Sequence, residues 1–593
     1  MILNFSILKY FFKFYNIFYG DFILYPKRNL YRQYIELSDF WDFRFDYSNI
    51  GIYEKWNEGF DGGVPIAVPA SWNEQFAEDR DFLGPSWYQV KIEVPSAWRN
   101  QKIFLWFGSV NYLANIWING ENIGAHEGGH LPFEFDISDK LNREGNILVV
   151  RVDGTLSPDR VPPSGGPFVY PSANFDFFPY CGIHRPVILY SVPSNYIKDI
   201  TVITEIFDSR AKVHVKVDIE KGIQDEISFK LEGHGEVFET KELKNIDHID
   251  SILNVENPKL WSPDTPNLYE LTISLLKGKI ISDSYTISIG IRTIEVKGNQ
   301  ILLNGEPLYL TGFGRHEDFP IVGRGYIPAV IIKDYSLMKW VGANSFRTSH
   351  YPYSDQMMDL ADRLGFLVID EIPAVGLTFD KEHLNHHLEL CSQYLKELIS
   401  RDKNHPSVIA WSLANEPSKT SSRSKDFFRS LYEQAKNLDP SRLVTLVNMH
   451  GVKDWAFEFC DIVCLNRYYG WYLNPGEIDK GLEYLSIGLD KIHKMYKKPI
   501  ILSEFGADTI PGAHAQPPEM FSEEYQVEFL SKHIELLNTK DYIVGAHVWN
   551  LCDFKTAQGI RRMGGFNYKG VFTRDRRPKM AAHFLRKLWR KDL

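Results

Sequence analysis

The chain runs to 593 residues, of which 44% are hydrophobic and 24% charged, with a formal net charge of -10 at pH 7. That composition excludes a disordered chain, which could not bury enough apolar surface, and the unclustered charge excludes a nucleic-acid surface, which needs a concentrated basic patch. At roughly 100 to 200 residues per domain, three to five domains are expected, or three if one is a large barrel.

The first 26 residues, MILNFSILKYFFKFYNIFYGDFILYP, are apolar and aromatic. Lys9, Lys13 and Asp21 interrupt the run, a basic leading segment is missing and no small-residue cleavage site follows, so signal peptide and membrane span are both poor fits. The segment reads as an extension or a packed edge element, and no membrane partner is expected. Cys181, Cys391, Cys460, Cys464 and Cys552 are odd in number and scattered, which argues against a disulfide framework and for reduced thiols in a cytoplasmic protein.

Over residues 27–195, runs such as WYQVKIEVP, KIFLWFGSV and NILVVRVDG alternate with Gly, Pro and Asn turns, which predicts a jelly-roll-like β-sandwich. Residues 196–290 repeat the pattern in IKDITVITEIF, AKVHVKVDIE and LYELTISLLK, over the length of one immunoglobulin-like sandwich. From 291 to 593 the period changes: apolar runs of strand length alternate with helical stretches, among them 381–401 and 424–438. The runs are LYLTGFGRHE, NSFRTSHYP, FLVIDEIP, VIAWSLANEP, LVTLVNMH, DIVCLNRYY, PIILSEFG and IVGAHVWNL, which predicts a (β/α)8 barrel.

Barrel chemistry lies at the C-terminal ends of the strands. Here those ends carry His316, Arg347, His350, Glu371, Asn415, Glu416, Asn466, Tyr468, Glu504, Trp549 and Asn550. Glu416 and Glu504 each terminate an apolar run, and a bare buried carboxylate costs several kcal/mol unless it is paired or neutralised. An ion pair to Arg347 is the plain explanation of either one alone. Two carboxylates facing one pocket can instead cleave a glycosidic bond, one as a protonated general acid and one as an ionised nucleophile. Tyr468 and Arg347 are available to donate to Glu504.

The motifs WSLANEP, LNRYYGWY, ILSEFGAD, GRHEDF and RTSHYPY resemble the glycoside hydrolases of family two, in one order from Leu37 to the C-terminus. GGHLPFEFDIS and DFFPYCGIHRPV resemble that family's sugar-binding β-domain. The resemblance implies Glu416 as acid/base and Glu504 as nucleophile of a retaining hydrolysis without cofactor. It implies Asn415 on the sugar 2-hydroxyl and Asp176 reaching across to the sugar hydroxyls. Asn466, Tyr468, Tyr472 and Trp549 would wall the pocket, with His316 at its rim. A homo-oligomer, commonly a tetramer, is also implied.

In GGFNYKG, residues 564–570, Asn567 and Lys569 place an amide and an ammonium two residues apart between glycines. Such donors suit the C6 carboxylate of a uronic acid, and a charge-assisted hydrogen bond of roughly 1.5–3 kcal/mol favours an acid over a neutral sugar. A Gly-rich turn is the plain alternative. The loop resembles the Asn-x-Lys signature that marks uronide-cleaving members of the family, with Tyr472 and Arg562 near the same carboxylate and Phe566 standing as an extra residue before Asn567. The implied activity is exo-hydrolysis of small-molecule or oligosaccharide β-glucuronides. A β-galacturonidase or β-galactosidase is the rival within the family, and a non-catalytic carbohydrate-binding protein the rival outside it. His383, His387 and Cys391 share a helical face, but without a Glu after the first His no metal is expected. The short connection after EIPAVGLTFD predicts an open mouth that admits bulky aglycones.

Overall fold

A computed structural model describes residues 24–165, 167–220, 226–242, 248–418 and 422–590. The apolar extension expected over 1–26 therefore lies, up to residue 23, outside the described residues. The chain divides into two compact units. One comprises Met1–Thr155, Tyr180–Tyr196 and Ile321–Tyr326, and the other Leu156–Pro179, Ile197–Pro320 and Ile327–Leu593.

The first unit holds a four-stranded and a six-stranded sheet. Alternate residues of their strands share one core: Trp41 and Phe43 from Asp39–Phe45, Leu105 and Phe107 from Lys102–Phe107, Leu189 from Val187–Val192. In the second unit a three-stranded and a four-stranded sheet form the central sandwich. Its strand Arg210–Ile219 buries Ala211, Val213, Val215, Val217 and Ile219 and turns the intervening residues outward, the two-residue period of a half-buried strand.

The barrel closes from β1 (Leu310–Gly314), β2 (Ser345–Arg347), β3 (Leu367–Glu371), β4 (Val408–Asn415), β5 (Leu443–Asn448), β6 (Val463–Asn466), β7 (Ile500–Phe505) and β8 (Ile543–Val548), with β1 pairing parallel to both β2 and β8. Strands β2 to β8 are buried along their whole length, so they read as continuous apolar runs rather than alternating ones. Helix α1 (Pro328–Val341) follows β1, and α2 (Asp355–Leu364) follows β2. The start of α2 is capped by Ser354, whose side chain accepts from the Met357 N–H, and its end by Gly365 at φ 70°. Helix α3 (Leu384–Asp402) starts three residues later than 381, because Asp380 accepts the His383 N–H (3.0 Å) and holds the preceding turn. Then come α4 (Ser422–Leu438), α5 (Ile478–Tyr496), α6 (Glu523–Leu537) and α7 (Met580–Trp589). Between β5 and β6 the described connection has only a 3-10 turn, Trp455–Glu458. All five cysteines are buried, and no disulfide joins them.

Candidate active site

Glu416 follows the last residue of β4, and its backbone sits at φ 49°. An L-residue in that left-handed region costs on the order of 1 kcal/mol, and the hydrogen bond from the Glu416 N–H to the Val447 oxygen (2.9 Å) helps to hold it there. The side chain receives Asn466 Nδ2 at 2.7 Å, and that amide also reaches Asn415 Oδ1 at 3.1 Å. Ser503 Oγ donates to Asn466 Oδ1 (3.0 Å), fixing which face of the amide turns to the carboxylate.

Glu504 lies in β7 beside Asn466, its register partner in β6. Arg347 donates to its Oε1, and Tyr468 Oη donates to its Oε2 at 2.6 Å. Arg347 also binds both oxygens of Glu371, at 2.8 and 2.9 Å, and Ser412 Oγ completes Glu371 at 2.7 Å. Against its burial, the charges of Glu371 and Glu504 hold the Arg347 guanidinium ionised well above its ordinary range. Burial, with the Arg347 charge assisting, lowers His350 to about 4, so it is neutral at pH 7. Its ring stacks on Trp549 at 5.1 Å and its Nε2 lies 3.6 Å from Glu504.

Burial pushes the Glu504 carboxyl up, to about 8, with the Glu416 charge adding to the rise and Arg347 and Tyr468 opposing it. Burial also raises Glu416, opposed first by the Asn466 hydrogen bond. Two interacting carboxylates in a dry site titrate as a pair and retain one proton near neutrality. Both Glu504 oxygens are occupied by donors, one of them a guanidinium. The only hydrogen-bond donor reaching the Glu416 carboxylate among the described residues is a neutral amide. The hydrogen bonding thus favours the charge on Glu504 and the proton on Glu416, against the burial that raises Glu504.

The GGFNYKG loop forms a second cluster. Gly564 and Gly565 adopt φ 63° and 75°, as a turn requires. Gly570 does not use positive φ; a Cβ there would meet the Asp553 nitrogen at 2.1 Å, so close backbone approach is its reason. Phe566–Asn567 pairs antiparallel with Phe554–Lys555, Asn567 opposite Phe554, so the extra Phe566 is absorbed into a short ladder. The extended backbone buries Asn567 and Lys569 and leaves Tyr568 part-exposed between them.

Lys569 Nζ donates to Asp508 Oδ2 and to Tyr472 Oη (2.8 Å), and sits 4.7 Å from the Tyr472 ring centroid and 5.5 Å from that of Trp471. Arg562 grips Asp176 through Nε (2.6 Å) and a second N–H and also reaches Tyr472 Oη at 2.8 Å. Asn567 Nδ2 donates to Asp176 Oδ2 at 2.8 Å. Asp176 thus occupies Asn567, one of the two donors expected to read a sugar carboxylate, together with Arg562, while Lys569 is held by Asp508; the Asp176 loop belongs to the same unit as the barrel. Against its burial, Lys569 and then Arg562 hold the Asp508 carboxyl below the usual range.

His316 lies deeper, among Phe177, Tyr351, Trp549 and Phe554, sharing a hydrogen bond of 3.0 Å with Tyr351 Oη. Trp549 is 3% exposed, and Gly506 passes so close to it that a Cβ would meet the Trp549 oxygen at 2.0 Å. His387 Nε2 is hydrogen-bonded to the Pro158 oxygen (3.0 Å) and Cys391 is buried, its thiol raised by burial. Sequence reasoning passed over Asp508 and Trp471, both inside motifs it had singled out. The available signal for Asp508 was a carboxylate four residues past Glu504, opposite in charge to the loop's lysine.

Two carboxylates in unlike environments at one barrel mouth, with a cluster of two cations and two carboxylates on the same set of strand ends, suit the hydrolysis of an acidic sugar. The description "Glycosyl hydrolases family 2, TIM barrel domain" matches residues 294–592, the family's sugar-binding domain 35–193 and its "Glycosyl hydrolases family 2" domain 195–292. The chain belongs to glycosyl hydrolase family 2. It is 40% identical over 597 residues to a β-glucuronidase of Paenibacillus borealis, covering 96% of this chain and 98% of that one. The human β-glucuronidase is 38% identical, with 95% and 92% covered. A β-glucuronidase structure from Ruminococcus gnavus in complex with D-glucuronic acid superposes with a TM-score of 0.91 at 38% identity, covering 96% of this chain and 99% of that one.

Proposed function

We propose that this family 2 hydrolase is a retaining exo-β-glucuronidase that releases D-glucuronate and an alcohol from β-D-glucuronides. The observation that carries the reading is the placement of Lys569 and Arg562 around Tyr472, while Tyr468, four residues earlier, donates to Glu504. In the first step Glu504 attacks the anomeric carbon while Glu416 gives its proton to the departing oxygen. In the second, Glu416 takes a proton from water, which displaces Glu504 from the sugar. Glu504 gains from Arg347 and Tyr468 as an anion, and Glu416 gains from burial as an acid. Asn415 and Asn466 face the 2-hydroxyl, where hydrogen bonds strengthen as the oxocarbenium-like transition state forms. Asn567, Lys569, Arg562 and Tyr472 hold the C6 carboxylate, and Asp176, Trp549 and His316 shape the rest of the sugar site. The similarity to the D-glucuronic acid complex from R. gnavus supports the same substrate class. A homotetramer in the cytoplasm is the accompanying proposal, the second part supported by five buried cysteines that form no disulfide.

The test is hydrolysis of nitrophenyl β-glucuronide, β-galacturonide and β-galactoside at equal concentration. The glucuronide is expected to be turned over fastest. A faster galacturonide would move the assignment to the epimer, and a faster galactoside would remove the carboxylate from the account.

A further inference from the structure

The carboxylate-reading cluster contains two cations, Lys569 and Arg562, and two carboxylates, Asp176 and Asp508, and the two carboxylates differ in burial. The Asp176 side chain is 44% exposed, whereas that of Asp508 is 6% exposed. Asp508 follows Glu504 by four residues on the segment that leaves β7. Its Oδ2 receives Lys569 Nζ, its Oδ1 receives the Tyr568 N–H at 2.9 Å, and Arg562 lies 3.7 Å away.

The same segment is laced to the loop by backbone. The Thr509 N–H donates to the Tyr568 oxygen (2.9 Å), and Lys579 Nζ donates to the Thr509 and Tyr568 oxygens at 2.8 and 2.9 Å. Gln526 Nε2 spans the Ala507, Lys569 and Gly570 oxygens at 3.3, 3.2 and 3.3 Å. A lysine has a flexible four-carbon stem and three donors with no fixed direction, so it selects a ligand only if something else aims it. Here the aiming contact is made by the segment that leaves the strand carrying Glu504.

We propose that Asp508 is a positioning residue for sugar selectivity, which aims the Lys569 ammonium and the Tyr568–Lys569 backbone from the chain segment that also bears Glu504. The proposal rests on the glucuronide reading. With all four groups ionised the cluster is neutral, so an entering carboxylate must displace an existing one. Asp176, the half-exposed partner of Arg562, is the one that exchanges. Asp508 stays on Lys569, and the lysine reaches the sugar with its remaining donors.

The experiment is kcat/KM for nitrophenyl β-glucuronide and β-glucoside in the wild type, Asp508→Ala, Asp508→Asn, Lys569→Ala and the Asp508→Ala/Lys569→Ala double variant, each with its melting temperature. The wild type is expected to prefer the glucuronide. Asp508→Ala is expected to lower the glucuronide-to-glucoside ratio about 30-fold, as for a lost charge-assisted hydrogen bond, mostly through KM. The double variant should fall no further than Lys569→Ala, the non-additivity of groups acting as one unit. Asp508→Asn keeps an acceptor for the Tyr568 N–H without the charge and should retain an intermediate ratio; it carries the test if the alanine variant does not fold. Equal losses on both substrates that track the melting temperature, or additive losses in the double variant, would overturn the proposal. A wild type without glucuronide preference would remove the substrate reading before any variant is compared.

Discussion

At the floor of the barrel Leu310, Leu367, Ile369, Ile409, Leu443, Ile501 and Val544 meet in one apolar cluster with Trp261, Ile294 and Ile301. At the mouth, a few residues further along the same strands, Arg347, Glu371, Asn415, Asn466 and Glu504 meet in one hydrogen-bonded network. Both ends are buried, so burial is not what distinguishes them. The floor is stabilised by apolar area and packing. The mouth keeps several charges dry by giving each a partner of opposite sign, an arrangement that stabilises weakly at best but presets the protonation of Glu416 and Glu504. The floor makes the barrel stable, and the mouth makes it reactive.

That contrast can be broken at either end. The largest effect is expected from Glu504→Gln, which removes the nucleophile and leaves the network's shape: kcat should fall by roughly four or more powers of ten with the melting temperature little changed, read by single-turnover kinetics and calorimetry. A variant that keeps turnover would end the two-carboxylate account. At the floor, Leu310→Ala should do the reverse, costing about 2–5 kcal/mol of stability while kcat of the folded fraction stays within a few-fold of the wild type. Denaturant titration beside active-site titration measures both.

A smaller effect tests a charged staple near the floor. Burial opposes it, but Asp362, 2.6 Å away, raises His405 to about 9. Because the folded value lies above the unfolded one near 6.5, the staple's contribution, on the order of 3 kcal/mol, is complete below that pH and is lost as pH rises through about 9. His405→Asn should therefore destabilise the protein at pH 6 and lose most of its deficit relative to the wild type above pH 9, measured as melting temperature against pH. A deficit constant across that range would mean that packing, not charge, accounts for His405. The smallest shift is kinetic: with burial raising the Glu416 carboxyl above its ordinary range, kcat/KM should decline on the alkaline side as that acid loses its proton, read as a pH–rate profile. An alkaline limb beginning below pH 6 would contradict the shared-proton assignment.

Much of this was legible in the residues. The eight apolar runs became β1 to β8, because strands covered on both faces must be apolar throughout. Glu416 and Glu504 stood out because a carboxylate closing such a run has no apolar explanation. Asn567 and Lys569 were readable as a pair because residues two apart on extended chain share a face. The absence of a regular helix between β5 and β6 in the described connection was less visible, since a 3-10 turn carries no helical period. The reason for Gly570 was also hidden, since backbone crowding by Asp553 comes from a residue 17 positions earlier.

By itself the sequence determined the elements, the barrel and the two candidate acids, because periodicity and local polarity are properties of neighbouring residues. Only the tertiary structure decided which donors reach each acid, since Arg347 and Tyr468 arrive at Glu504 from β2 and from beyond β6. It alone decided that Asp508 aims Lys569 and that Asp176 rests on Arg562. Charge and hydrogen bonding act through a few ångströms of space, and the partners in those pairs are 61 and 386 residues apart along the chain.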